Sequence, residues 1–540
     1  MSGRQLARGV AGAAALIAVL TLLARLAGFG RTLVFTNTVG ADSTGDTYLA
    51  ANNVPNIVFE VVAGGALASL VVPMLAGGIV AGDQGRVRRT ASALLGWTLL
   101  VLTPLAVLVA VLAEPIARLL LGGDDEAEVT LAARFLLVFA PQVVLYGIGI
   151  VLTGVLQAHR RFAGPAVAPL LSSLVVAGAY LVFAGIGGDR DAAALSTPAE
   201  LVLGVGTTLG VVALTLSLLA PMRGLRLGLR PTLRFPVGAA PRVWRLAVAG
   251  VLTLGGQQLV AAVAIRLAND GAPDGTQVVY SAGLTLFLVP WAALAVPLAT
   301  SAYPGLAERA EDGDEAGYAR SLAPVAVLVV AASALAAAVL VAVAGPMARV
   351  FLGTGSDASV HALRDTTLAF APGLIGYGLV ALLTRALYAR GLWKAPTVCV
   401  VGGWLLAVVA DIVLAAALPP ADRALALGAG HSLGVTVAGC ALLVVVARAA
   451  GPSALRGLLR AGAAALLAAV LGAGAGWWLS RALGADPVPG DGVLVALGVG
   501  ALTGAASLAV GLAVMMVAAR APLTAAWREL RWSGRQEVAR

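Results

Sequence analysis

From one end of the chain to the other, apolar stretches of about 20 residues recur, broken by short segments of Gly, Pro and charge. The stretch Val325 to Ala344 is apolar throughout except for Ser333. About 20 apolar residues is the helix length that crosses roughly 30 Å of hydrocarbon, where every backbone polar group must be bonded within its own segment. A β-barrel would instead alternate apolar and polar positions over segments of about ten residues. The pattern predicts an all-α polytopic membrane protein with about 14 transmembrane helices, beginning near residues 10, 46, 91, 129, 164, 200, 244, 279, 322, 363, 395, 424, 461 and 492. The first run, Gly9 to Ala24 behind Arg4 and Arg8, has the build of a signal peptide. It continues past Arg25 and Arg31 to about Val39 without a convincing cleavage site, so a retained helix is expected.

Composition agrees with this picture: 60% of the 540 residues are hydrophobic, 12% are charged, and the mean hydropathy is +0.94. The isoelectric point near 10.2 would suit a nucleic-acid binder. The basic residues, however, sit in short clusters between apolar spans, which excludes a basic soluble face and points to topology. Alternate segments carry Arg4 and Arg8; Arg86, Arg88 and Arg89; Arg160 and Arg161; Arg223 to Arg245; Arg390 and Lys394; Arg448, Arg456 and Arg460; and the tail from Arg520 to Arg540. These segments are expected to face the cytoplasm, with both termini. The opposite segments are poor in Arg and often acidic, as at Asp42, Asp124 to Glu128, Asp189, Asp270 and Asp491. The acidic loop Glu308 to Arg320 goes against the trend, but acidic residues weigh little in it. Cys399 and Cys440 lie inside spans and are expected to be free, buried thiols.

The chain also repeats itself. Pro115-Ile-Ala-Arg-Leu-Leu-Leu-Gly122 aligns with Pro346-Met-Ala-Arg-Val-Phe-Leu-Gly353 at an offset of 231 (346 − 115). Phe139-Ala140-Pro141 with Tyr146-Gly147, Pro73 and Pro165 find counterparts in Phe370-Ala371-Pro372 with Tyr377-Gly378, Pro304 and Pro396 at the same spacing. Six helices separate equivalent points, so the two copies share one orientation, related by an axis along the membrane normal. This predicts two parallel six-helix lobes, 1–230 and 231–450, facing each other, and a two-helix appendage with a basic tail at 451–540, joined through Ala450-Gly-Pro-Ser453. Duplicated bundles of this kind suit alternating-access transport, but architecture alone does not name a substrate.

Charges inside the spans carry the chemistry, because each costs about 2.5–3.5 kcal/mol to insert. Arg25 and Arg31 stand out in the first helix, around Gly28-Phe29-Gly30, where two glycines weaken the helix and let it bend. Adding 231 to Arg25, Arg31, Asp46 and Glu60 reaches Gly256, Ala262, Gln277 and Trp291, so these charges belong to the first copy alone. A scaffold role would be repeated in both. Guanidinium binds phosphate bidentately and stays charged when partly desolvated, which suits an anionic phosphate or pyrophosphate substrate; the alternative is a structural ion pair. Arg25 and Glu60 reach similar depth, roughly 21 Å from the outer ends of adjacent antiparallel helices at 1.5 Å per residue, and are expected to pair. Glu60 reads equally as a gate and as a passive partner, and Asp46, opening the second helix, is explained as well by the helix dipole as by a role in transport. Asp411, Arg134, Arg266 and Arg385 lie nearer span ends and are expected to snorkel. His159, His361 and His431 are scattered, so no metal set, proton relay or catalytic residue is assigned. The absence of a Walker loop or a Ser/His/Asp constellation argues against an enzyme.

Four segments carry a family resemblance: Ala24-Arg-Leu-Ala-Gly-Phe-Gly-Arg31, Val39-Gly-Ala-Asp-Ser-Thr-Gly-Asp46, Asn53-Val-Pro-Asn56 and Gly65-Ala-Leu-Ala-Ser-Leu-Val-Val-Pro73. Together they closely resemble the opening of MurJ/MviN proteins of the MOP exporter superfamily. Arg160-Arg-Phe-Ala-Gly-Pro-Ala-Val-Ala-Pro169 and Leu387-Tyr-Ala-Arg-Gly-Leu-Trp-Lys-Ala-Pro396 extend the likeness through both lobes. The resemblance implies fourteen helices in the bacterial cytoplasmic membrane and an alternating-access flippase for lipid II, the undecaprenyl-pyrophosphate-linked peptidoglycan precursor. It implies a role in cell-wall biogenesis and cell shape, without a cofactor, alongside membrane lipids and cell-wall synthesis proteins as partners. It also implies that Arg25, Arg31 and Asp46 match cavity positions essential for substrate handling or for the transport cycle, and a lipid-tail groove at the last two helices. Transport-cycle or gating roles for Glu60, Gly28 and Gly30 are expected from their own placement, and headgroup binding from that of Arg25 and Arg31. Phe59, Glu60, Gly64 and Thr285 occupy positions that are charged differently in other branches, and Pro55-Asn-Ile-Val-Phe-Glu60 resembles the actinobacterial branch. No coupling ion is assigned; membrane potential favours outward movement of an anion by about 2.3 kcal/mol per charge per 100 mV. The alternatives are a flippase for another polyprenyl-linked oligosaccharide, a cation-coupled drug exporter and a non-transporting cell-wall scaffold.

Overall fold

Helix boundaries in the computed structural model repeat the sequence duplication almost residue for residue. The structure describes residues 3–61, 68–122, 125–225, 227–234, 240–353, 355–483, 492–520 and 524. Gly64, Asp124, Arg226, Asp491 and, Thr524 apart, the basic tail beyond Arg520 lie outside them, as do the side chains of Arg4, Arg8, Arg242 and Arg245. In order the helices are α1 (Gly3–Thr38), α2 (Ser43–Phe59), α3 (Ala68–Val80), α4 (Gln84–Val111), α5 (Ala113–Leu121), α6 (Glu126–Ala158), α7 (Ala163–Gly185), α8 (Thr197–Arg223) and α9 (Ala240–Asn269). They continue as α10 (Thr276–Pro290), α11 (Val296–Glu311), α12 (Glu315–Phe351), α13 (Asp357–Phe370), α14 (Gly373–Ala389), α15 (Lys394–Ala417), α16 (Arg423–Ala450), α17 (Leu458–Ala482) and α18 (Val493–Ala518).

Each of the fourteen expected span starts falls within a helix or one residue before it. Among the described residues, 11 helices are long and apolar enough to cross a membrane, and up to 12 if the bent pair α13 and α14 is one span. The second and seventh expected spans, α2 and α9, are helices outside that count. The outward faces are apolar, with Leu459, Leu494 and Val517 more than four-fifths exposed, as hydrocarbon contact requires. The chain is a multi-pass membrane protein.

The starts of α4 and α12, of α6 and α13 and of α7 and α15 are each separated by 231 residues, as are the ends of α6 and α14 and of α1 and α9. Proline acts differently in the two copies. Pro141 lies inside unbroken α6, whereas its counterpart Pro372 precedes α14, where the axis bends by 46°. Without an N–H, and with a ring that crowds the preceding turn, proline permits such a break but does not impose it.

Two compact units divide at Asp270/Gly271. In the first, α1 packs along α7, α2 on α6, α7 on α8, and α9 against α2, α3 and α5. In the second, α12 is the central helix, and α17 and α18 pack on each other and on α12. Glycine permits that approach: a Cβ on Gly472 would stand 2.7 Å from the Ser507 carbonyl oxygen.

Candidate functional site

The charges singled out in the first copy sit on α1, α2 and the turn after α2. α1 is an unbroken helix through Gly28 and Gly30, and a Cβ on either glycine would meet open space, so no packing demand explains them. Arg25 and Arg31 are six residues apart, about 9 Å along the axis and roughly 240° around it, and so present to different faces. Arg25 is exposed and Arg31 half-buried. Among the described residues no ion pair joins either arginine or Glu60 to a partner, so the expected Arg25–Glu60 pair is not formed in this structure.

Arg31 lies within electrostatic reach of Tyr48, Tyr146 and Tyr180. Tyr48 is fully buried, and its hydroxyl is 2.8 Å from that of Tyr180 and 2.6 Å from Thr207 Oγ1. Thr207 donates its own hydrogen to the Leu203 carbonyl at 2.7 Å, so Tyr48 donates to Thr207 and Tyr180 to Tyr48. That order leaves the Tyr180 oxygen as the open acceptor end of the chain. The rings are held by Phe35, 5.4 Å from Tyr48 and 5.2 Å from Tyr180, and by Phe135 and Phe139, which meet Tyr48 edge-on at 5.7 and 5.9 Å. Helices α1, α2, α6, α7 and α8 thus converge on one polar line in an aromatic wall. Charge patterning gives no signal for the three tyrosines; only Tyr146 stands out in the sequence, as a repeat landmark.

Asp46 is buried in the first turn of α2, where the helix dipole favours a carboxylate. At the other end of α2, Phe59 packs on Tyr146 with ring centroids 4.8 Å apart, and Glu60 and Val61 form a π-helical turn. The second copy repeats both features: Trp291 stacks on Tyr377 at 4.4 Å and opens a π-helical segment, Trp291–Ala295. By ring contacts α10 therefore matches α2 at an offset of 232 (291 − 59). Either register puts an uncharged residue, Trp291 or Ala292, opposite Glu60. Such π turns recur at functional sites because the widened turn re-aims side chains. Thr285, in α10, donates to the Ser281 carbonyl at 2.9 Å.

A family model described as "Lipid II flippase MurJ" matches residues 35–495. The chain belongs to this family. The match covers Asp46 and Glu60 and begins just after Arg31. The lipid II flippase MurJ of Burkholderia cenocepacia is 27% identical over 434 residues, 76% of this chain and 80% of its own. The probable lipid II flippase MurJ of Rhizobium meliloti is 26% identical over 388 residues, 70% of each chain. Among solved structures, a lipid II flippase MurJ in an inward closed conformation superposes with a TM-score of 0.70 over 93% of this chain and 98% of its own, at 17% identity. An inward-facing MATE multidrug transporter of the MOP superfamily gives 0.65 over 82% and 99%, at 13% identity. These two likenesses speak for the fold alone. Membership in the MurJ family makes the chain a transporter rather than an enzyme.

Two expectations for this MurJ-family chain, for Asp411 and for the cysteines, are corrected by the packing. Asp411 does not snorkel: it is 0% exposed, in the middle of the α15–α16 contact, with its carboxyl against Gly430. Arg134, Arg266 and Arg385 do keep partly exposed positions, the first two paired with Glu200 at 3.1 Å and Asp270 at 3.0 Å. His431 is buried among four aromatic rings. Both cysteines are free, but Cys440 is exposed and Cys399 half-buried, because those faces of α15 and α16 turn outward. Among the described residues no three His, Cys, Asp or Glu side chains meet in a metal-holding group.

Proposed function

We propose that this chain moves lipid II from the inner to the outer leaflet of the bacterial cytoplasmic membrane by alternating access. The observation that carries the reading is Arg31: a half-buried guanidinium in a MurJ-family chain, without a carboxylate partner among the described residues and beside the acceptor end of a tyrosine chain. A guanidinium held this way keeps its two-pronged donor face for an anion, and pyrophosphate is the anion of the lipid-linked precursors. Tyr48, Tyr146 and Tyr180 lie within its electrostatic reach and carry no charge that would neutralise it. Exposed Arg25 meets the headgroup on a different face of α1, and Gly28 and Gly30, free of packing constraint, let the helix bend between the two contacts.

In this reading Asp46 and Glu60 act in the transport cycle, Glu60 through its π-helical turn. Residues 1–230 and 231–450 are the two lobes of the repeat, with α9 of the second copy packed in the first compact unit, and 451–540 are the appendage. Both termini face the cytoplasm, the polyprenyl tail stays in lipid, and membrane potential assists outward movement of the anionic headgroup. Cell-wall synthesis proteins are the expected protein partners.

The test is complementation of a flippase-depleted strain by the parent chain and by Arg25→Ala and Arg31→Ala, with membrane levels matched and outward-accessible lipid II quantified. Rescue by the parent, lost in both variants, is the expected result. A well-expressed parent that fails to rescue assigns another polyprenyl-linked oligosaccharide or a scaffold role, and variants that rescue fully remove the arginines from substrate handling.

A further inference from the structure

The two copies differ most informatively at one buried position in the second unit. In the first copy Gly210 packs on Val176. In the second Gly434 packs on Ala407, the counterpart of Val176, so α16 matches α8 at an offset of 224 (434 − 210). Thr207 then corresponds to His431, Tyr180 to Asp411 at 231, and Tyr48 to Tyr280 at the 232 offset of α10. The correspondence of Tyr48 and Tyr280 is also visible in their shared neighbour, Phe139 in one copy and Phe370 in the other. The two hydroxyls that flank Tyr48 in the first copy are thus replaced by a carboxyl and an imidazole.

Neither ionisable group is satisfied where it sits. Asp411 is 0% exposed and His431 7%, and both carboxyl oxygens and both ring nitrogens lack a hydrogen-bond partner among the described residues. The carboxyl lies against Gly430, the residue before His431, and interacts electrostatically with Tyr280. The imidazole lies 5.3 Å from Trp404, 5.4 Å from Phe370, 5.5 Å from Phe287 and 6.3 Å from Tyr377, centroid to centroid. These rings enclose the imidazole and offer neither of its nitrogens a hydrogen-bond partner. Arg423, at the start of α16, is committed to the Ala415 carbonyl at 2.9 Å, while Arg364 and Asp365 on α13 pair with each other at 2.8 Å.

We propose that Asp411 on α15 and His431 on α16, which do not bond to each other in this structure, are the two protonatable groups of one site that takes up and releases one proton with an aqueous side as the second unit changes conformation, coupling transport to the proton gradient. The first copy demonstrates that hydroxyls suffice to hold this helix junction, so packing alone does not call for an acid and a base. A hard metal cation prefers a cage of several oxygens, whereas among the described residues this site presents one carboxyl, an imidazole, the Tyr280 hydroxyl and aromatic rings. The transport arm of the proposal rests on the flippase reading; the proton site does not.

The full-length protein in nanodiscs is titrated by tryptophan fluorescence, the Trp404 contribution being the difference between the parent and Trp404→Phe. A protonated imidazole quenches a neighbouring indole. The expected result is one reversible step between about pH 5 and 8, lost in His431→Asn and displaced by roughly one pH unit or more in Asp411→Asn. Exchanging sodium for choline leaves it in place. A flat difference overturns the proposal, and so does a step that sodium moves at fixed pH, which marks a metal-cation site. In proteoliposomes with an imposed pH gradient, lipid II movement by the parent is expected to follow the gradient, and movement by Asp411→Asn and His431→Asn not to follow it. Variants that respond like the parent overturn the coupling. A parent that titrates but moves no lipid II retains the proton site and overturns the substrate reading instead.

Discussion

Arg31→Ala separates a substrate contact from a structural one, because the structure sets different magnitudes for each. Arg31 is half-buried and makes no ion pair among the described residues, so its removal leaves no orphaned carboxylate. The expected loss of stability is that of a partly exposed side chain away from the core, about 0.5 kcal/mol. Had it been half of a buried ion pair, the cost would have been about 3–5 kcal/mol. Binding a pyrophosphate headgroup through charge-assisted hydrogen bonds is worth about 1.5–3 kcal/mol, which at 1.36 kcal/mol per decade weakens affinity roughly 10- to 150-fold. Arg31→Lys keeps the charge and loses the planar fork, and so is expected to fall between parent and Ala. The assay pairs a thermal midpoint in detergent with the dissociation constant for lipid II measured by native mass spectrometry. A midpoint that drops like that of a core substitution while affinity stays within a factor of two would refute the reasoning.

Gly376→Ala drives a Cβ to 2.8 Å from the Thr436 backbone nitrogen and the Val435 carbonyl oxygen, neither of which can rotate away. The expected cost is about 1–3 kcal/mol, seen as a lower thermal midpoint at unchanged expression. Gly28→Ala and Gly30→Ala enter open space, so each is expected to stabilise α1 by up to about 1 kcal/mol while slowing lipid II movement if α1 must bend; faster or unchanged movement removes the hinge role. Tyr48→Phe removes the hydroxyl that bridges Tyr180 and Thr207. It is expected to cost about 1–3 kcal/mol in stability by leaving the buried Tyr180 donor unmatched, and an unchanged unfolding midpoint would show that the hydroxyl chain contributes nothing.

Hydropathy, proline and glycine are local signals, and the elements they govern could be read directly. Fourteen apolar spans became helices because hydrocarbon leaves the backbone no other bonding scheme. The 231-residue repeat, visible in Pro115 and Pro346, recurs in the ends of α1 and α9, each followed by a glycine at positive φ (Gly40, Gly271), and in the starts of α6 and α13, each capped by a side-chain oxygen (Asp125, Ser356). Arg31, Asp46 and Glu60 were legible as candidates because a charge in an apolar span is rare enough to stand out.

Rotation about a helix axis and the identity of its neighbours were not legible. Arg25 and Glu60 reach similar depth, but depth says nothing of azimuth, and α1 packs along α7. Asp411 was read as close enough to a span end to reach water; a glycine on α16 instead lets that helix close over its carboxyl. The register slips of one residue in α10 and seven in α16 are likewise tertiary facts, fixed by which ring stacks on Tyr377 and which glycine meets Ala407. The sequence by itself determined the helices, their duplication and the charges that must be housed, since each depends on neighbours along the chain. Which of those charges meet one another, and that the second copy carries Asp411 and His431 where the first carries Tyr180 and Thr207, was decided only when residues distant in sequence were packed side by side.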